Sequence, residues 1–229
     1  MKQWTIFDLE FTELVEKPLQ LEIHIACASV FSNTQAYPQL WFEEKDALYM
    51  SCATLEAFID HLALLAQTST LVTWGGSASD WRLLNRECPS RKDLIHKLAL
   101  ESIDIPLCAF MNIGTMMGLN AASMAIGLNL KETNDSKLVP ELWRTIEERH
   151  KVLQHVSNDS YATMQVFLRA LETGCLPWIT KRQQLQTWTD VQFCTVQECL
   201  QKELPVVPWP IGPDHNAKLM ARWLIVDSS

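Results

Sequence analysis

The sequence predicts an α/β fold: a mixed five-stranded sheet flanked by helices, followed by a small C-terminal helical appendage. Three observations carry this. Three short β-rich runs open the chain, helical and strand patterns then alternate, and beyond Gly174 the chain is broken up by Pro177, Pro205, Pro208, Pro210 and Pro213. A meander followed by alternation means a mixed sheet with helices packed on it.

Residues 4–11, Trp4-Thr5-Ile6-Phe7-Asp8-Leu9-Glu10-Phe11, are short and aromatic-rich and predict the first strand. Leu19 to Phe31 predicts the second, with Leu21, Ile23, Ile25, Val30 and Phe31, and Leu40 to Phe42 a short third before the acidic turn Glu43-Glu44-Lys45-Asp46. From Thr54 to Gln67 the apolar residues Leu55, Phe58, Ile59, Leu62 and Leu65 fall at helical spacing. Thr70 to Trp74 reads as a strand ending at Gly75-Gly76, Ser77 to Arg86 starts a helix, and Ile103 to Ile105 supplies a fifth strand. Gly118 to Gly127 fits a short helix with a glycine stop. Pro140 to about Leu171 is helical with a break near His150, and Gly174 terminates it. Residues 1–174 are therefore expected to form the main domain and 175–229 an appendage of short helices packed on it, with Trp178, Trp188, Trp209 and Trp223 as its large apolar surfaces.

Composition narrows the class. The 229 residues carry 48% hydrophobic and 20% charged side chains, ordinary for a soluble globular protein. A net charge of −8 gives no global footprint of a nucleic-acid binder, so any phosphate contact has to be local or carried by metal ions. The stretch Arg82 to Lys97 is a local basic patch or a solvated helix face. Ile105 to Leu130 lacks charge and histidine, but Pro106, Asn112, Gly114, Gly118, Asn120 and Ser123 interrupt it, and a buried strand end, a loop and a core helix fit it better than a membrane span. The seven cysteines are odd in number and contain no C-x-x-C pair, which suggests neither a disulfide framework nor a zinc knuckle; most are expected as small buried apolar residues. With acidic residues interrupting any N-terminal apolar segment, a cytoplasmic location is the expectation.

Asp8 and Glu10 are the most informative residues. On a strand, i and i+2 share a face, so both carboxylates project side by side. Such like charges repel, and a hard divalent cation relieves that; a sheet edge with one face in water is the alternative. Asp80 follows the glycine-containing strand exit, and Ser77-x-x-Asp80 also has the form of a capping box. His155 and Asp159 lie four apart on a helix and share one face, as a solvated pair or as part of a site.

Taken in order, a strand-borne D-x-E, an Asp beyond a Gly-containing strand exit and a late helix with an ionisable residue four before an Asp resemble the DEDD exonuclease superfamily. This is the ribonuclease-H-like group that includes the proofreading exonucleases. The resemblance runs from residue 4 to about 173. Leu71 to Leu84 resembles a second motif, and Ser102-Ile103-Asp104-Ile105 with Leu119 to Leu128 the next strand and the helix after it. It implies that Asp8, Glu10, Asp80 and Asp159 hold two divalent cations, Mg2+ or Mn2+, with Asp8 bridging them; one would activate the attacking water and the other stabilise the leaving 3′ oxygen. His155 would orient or deprotonate that water. Phe11 and Thr12 would meet the terminal nucleotide. Apart from the resemblance, Trp74 and Trp81 are aromatic surfaces for base stacking, with a place in the core as the alternative. The implied partner is nucleic acid with an accessible 3′ end, single-stranded by preference, and no membrane. One departure stands out: the subgroup with this spacing usually has tyrosine where this chain has His155, and the histidine subgroup's position falls here on Gln154. The implied activity is 3′–5′ exonuclease action. The alternatives are a catalytically weak exonuclease-fold module that binds nucleic acid or a protein, and a nuclease of the same fold with a different cut.

Overall fold

The computed structural model describes residues 2–13, 23–43, 47–128, 136–208, 218 and 221–226. The predicted second strand's start at 19–22, the acidic turn at 44–46 and residues 209–217 lie outside them.

Five strands form the main sheet: β1 (Gln3–Phe11), β2 (Ile25–Ser32), β3 (Gln39–Phe42), β4 (Ser69–Thr73) and β5 (Ile103–Asp104), in the order β3-β2-β1-β4-β5. β1 pairs antiparallel with β2 and parallel with β4, and the sheet is mixed as expected. β2, IACASVFS, is buried throughout because both faces are covered. The helices are α1 (Cys52–Ala66), α2 (Asp80–Glu87), α3 (Lys92–Glu101), α4 (Ile105–Ile113), α5 (Leu119–Ala125), α6 (Val139–Arg144) and α7 (Arg149–Thr173).

The pleat of β1 sorts its side chains between two layers. Phe7 meets Phe58 of α1 and Trp81 of α2 edge-to-face, with ring centroids 6.1 and 4.6 Å apart. The alternate residues face α7: Trp4 sits against Phe167 at 4.9 Å, and Glu10 meets His155. Asp8 and Glu10 therefore lie under α7, not at a wet sheet edge. Across from them in register stand Ser29 and Cys27 of β2.

Helix α1 begins where the Ser51 hydroxyl accepts the Thr54 N–H at 3.2 Å, and it buries Leu55, Phe58, Ile59 and Leu62. The break before the long helix comes at Thr145, earlier than predicted, with a 3-10 turn at Ile146–Glu148. Buried Arg149 holds that corner by donating to the Trp143 carbonyl at 2.8 Å and lying over its ring. Gly174, at φ +67°, ends α7 in the left-handed conformation expected of a glycine stop.

Three elements differ from expectation. α3 was not predicted; the stretch Arg82–Lys97 folds as α2, a 3-10 turn and α3, with Arg91 bound to Asp60 at 3.0 Å and Arg86 donating to the Ile23 carbonyl. The fifth strand stops at Asp104, because Asp104 caps α4 by accepting the Leu107 N–H at 3.2 Å and Pro106 sits in the first turn. The C-terminal part is not purely helical: β6 (Cys175–Ile179) and β7 (Leu185–Thr189) form a hairpin before α8 (Val196–Gln201) and α9 (Trp223–Val226). Trp188, Val196, Cys199 and Leu224 join the same apolar cluster as β1 and β2. No described helix is long and apolar enough to cross a membrane.

Phe7 is the hinge of the layer between sheet and α1–α2. Phe7→Ala is expected to lower stability by about 3–5 kcal/mol, read as a fall in the urea midpoint at constant slope.

Candidate metal centre

The strand, the strand exit and the long helix bring the sequence-predicted acidic residues together. Asp8 and Glu10 come from β1, Asp80 from the first turn of α2, and Asp159 with His155 from α7. Burial pushes the Asp8 carboxyl well up, and the charges of Asp80, Asp159 and Glu10 push it further. Glu10 is raised by burial and then by Asp159 and Asp80. The charges that raise these two belong to the other carboxylates. Burial likewise raises Asp159, with His155 acting against it. Asp80 is pushed up to about 7 by burial, against a hydrogen bond from Ser79, with Asp104 adding to the rise.

His155 is turned into this cluster. Its Nε2 lies 3.3 Å from Glu10 Oε1 and 3.9 Å from Asp159 Oδ2. Glu10, His155 and Asp159 each offer a ligand atom within 4.8 Å of the others. Two atoms here are buried without a partner: His155 Nδ1 and Asp159 Oδ1. Gln154, one residue earlier and about 100° away on the helix, is exposed. His150 is exposed too, with Nδ1 at the Glu147 carbonyl.

The loop that delivers Asp80 is held from three sides. Asp104 accepts the N–H groups of Gly75 at 3.2 Å and Ser77 at 2.9 Å, together with the Ser77 hydroxyl. Gly76 must lack a side chain, because a Cβ there would stand 2.7 Å from Thr73 Cβ. Trp223 of α9 donates its indole N–H to the Ser77 carbonyl at 2.9 Å, so the C-terminal part touches the Asp80 loop. The expected capping box is absent: Ser79 is the N-cap, without a side-chain cap, and the Ser77 hydroxyl goes to Asp104. Ser79 instead donates to Asp80 Oδ1 at 2.9 Å. Sequence reasoning missed Asp104 as the anchor of this loop. Its signal was an Asp two residues before Pro106 at a helix start.

The four residues expected to meet substrate are all tied into the fold. A register shift between Glu10 and Phe11 re-aims Phe11, which packs half-buried on the core. Thr12 donates its N–H to the His24 carbonyl at 2.9 Å and accepts the His24 N–H on its hydroxyl at 3.0 Å. Trp74 is half-buried, with its indole N–H on the Met117 carbonyl at 3.2 Å. Trp81 is fully buried.

The donor set fits hard divalent cations. Four carboxylates converge with only a histidine to offset them, and an orphaned buried oxygen remains on Asp159. The topology and this placement define a ribonuclease-H-like α/β fold. The chain is similar in structure to the family B DNA polymerase of the hyperthermophilic archaeon Pyrobaculum calidifontis, at 15% identity and a TM-score of 0.59. The match covers 75% of this chain and 25% of the polymerase, so the chain spans about a quarter of that protein's length. No protein-family model and no curated protein matches.

The raised carboxyls have a consequence for metal-free protein. An acid with a folded pKa above its unfolded value stabilises the fold while protonated, fully below about pH 3.9. That contribution is lost as pH rises through the folded value, about 7 for Asp80. Thermal unfolding in chelator is expected to show the melting temperature falling across that window, and Asp80→Asn, which stays neutral, is expected to flatten the fall.

Proposed function

We propose that the protein is a metal-dependent 3′–5′ exonuclease that hydrolyses phosphodiester bonds of DNA or RNA. The observation that carries this is the convergence of Asp8, Glu10, Asp80 and Asp159 from three separate elements onto one half-buried spot beside His155. Four mutually repelling carboxylates are costly to keep together unless cations occupy the spot. A shared fold with a DNA polymerase agrees with the resemblance to the superfamily of proofreading exonucleases.

Asp8, Glu10, Asp80 and Asp159 would hold two divalent cations, Mg2+ or Mn2+. Bound there, the cations supply positive charge for in-line displacement at phosphorus. The chain's own residues do the rest. Asp104 and the Gly75–Ser77 turn keep Asp80 in place. His155 Nε2, 3.3 Å from Glu10 and 3.9 Å from Asp159, is placed among the carboxylates to take the proton of the attacking water. Phe11 and Trp74 are proposed as the aromatic surfaces near a terminal nucleotide, with Thr12 beside Phe11.

One observation favours a second role for His155. It sits within ligand distance of both Glu10 and Asp159, so it also suits direct coordination. Two kinetic signatures separate the roles. As the base, His155→Ala lowers kcat by about 10²–10⁴-fold, and extra Mn2+ does not rescue it. As a ligand, the same variant raises the Mn2+ concentration needed and recovers when it is supplied.

The function itself is tested on end-labelled single-stranded DNA and RNA. Wild-type protein with Mg2+ or Mn2+ is expected to release 5′-mononucleotides from the 3′ end. Asp8→Ala is expected to lose roughly two to three orders of magnitude in rate with an unchanged circular dichroism spectrum. Binding of either strand without degradation would replace this reading with that of a nucleic-acid-binding module.

A further inference from the structure

Three of the cysteines expected to be inert core residues instead converge on one another. Cys108 comes from α4, Cys194 from the residues before α8, and Cys199 from α8. Their sulfurs are 3.2 Å apart for Cys194–Cys199, 3.7 Å for Cys108–Cys199 and 3.9 Å for Cys108–Cys194. Cys108 and Cys199 are buried, and Cys194 is half-exposed. Thiolates around one zinc at about 2.3 Å stand about 3.8 Å from each other when tetrahedral, so the two longer edges have the span of a metal-bound triangle.

The surroundings hold this triangle rigidly. A capping box fixes the turn between Cys194 and Cys199: the Glu198 carboxylate accepts the Thr195 N–H at 2.7 Å, and the Glu198 N–H donates to the Thr195 hydroxyl at 3.2 Å. The next residue, Val196, donates its N–H to the Ser102 carbonyl at 2.8 Å and ties the turn to the main body. As thiols, the three bond one another, and Cys108 also reaches the Cys194 carbonyl at 3.1 Å. Lys202 lies beside Cys194.

We propose that Cys108, Cys194 and Cys199 form a zinc site that staples the chain around α8 to α4. Three thiolates on a divalent ion leave one negative charge, and Lys202 is placed to balance it; a monovalent soft ion would leave two. The fourth position falls to water on the half-exposed Cys194 side. Zinc binding releases the thiol protons and involves no redox change. The site is independent of the carboxylate cluster, whose oxygens suit hard cations.

The test uses full-length reduced protein and reads the metal, not the nuclease activity. Metal analysis after desalting without chelator is expected to give about one zinc per chain, retained in excess Mg2+. Replacement by Co2+ is expected to give an intense sulfur-to-cobalt charge-transfer band. Asp8→Ala should keep that band, Cys194→Ser and Cys199→Ser should lose it, and Cys52→Ser should keep it. Removing the zinc with a strong chelator should lower the melting temperature of wild type and not of Cys194→Ser. Reduced wild-type protein that retains no zinc and gives no such band overturns the proposal, whether or not the cysteine variants fold. So does a Co2+ band that survives in Cys194→Ser.

Discussion

The arrangement of β1, α2 and α7 turns on the repulsion among the four carboxylates that they bring together. β1 cannot avoid it: a strand that carries Asp8 and Glu10 presents both on one face, and that face is covered by α7. Burial raises both carboxyls, and Asp80 and Asp159 raise each of them further. The apolar packing on the opposite face of β1, where Phe7 meets Phe58 and Trp81, is what keeps the strand seated despite that strain.

The rest of the fold reads as support for that arrangement. α7 runs from Arg149 to Thr173, and its buried stripe of Val152, Val156, Thr163, Phe167 and Ala170 sets the rotation that brings His155 and Asp159 inward while Gln154 stays outside. Asp80 owes its position to Asp104, a second buried acid that accepts three hydrogen bonds from the turn and one from the start of α4. Because burial raises Asp104 even against four hydrogen bonds, the turn is held by an acid that burial disfavours as a charge. Trp223, from the far end of the chain, completes the clamp through the Ser77 carbonyl, which gives the C-terminal part a structural link to the centre.

Much of this was legible in the sequence for local reasons. The period of two in β1, the glycine exit of β4, the four-residue spacing on α7 and the stop at Gly174 are short-range signals, and the structure follows them. What was hidden depends on tertiary contact. α3 was masked by its charges, although Ile95, Leu98 and Ala99 bury a proper stripe. β5 is two residues long and gives way to α4 because Asp104 serves as a cap, a choice propensity alone does not make. The hairpin of β6 and β7 contains Pro177, which argued against a strand but is tolerated where two strands pair alone. The cysteine triangle unites residues 86 and 91 positions apart, beyond the reach of any spacing rule.

The proposed binding of divalent cations by the carboxylate cluster is tested by titrating the purified protein with Mn2+ near neutral pH and following the free ion by electron paramagnetic resonance. Wild-type protein is expected to remove Mn2+ from solution, Mg2+ to displace it, and Asp8→Ala and Asp159→Ala to lose this uptake while keeping their fold. Mn2+ that stays free in the presence of wild-type protein, or uptake unchanged in both variants, would contradict the proposal.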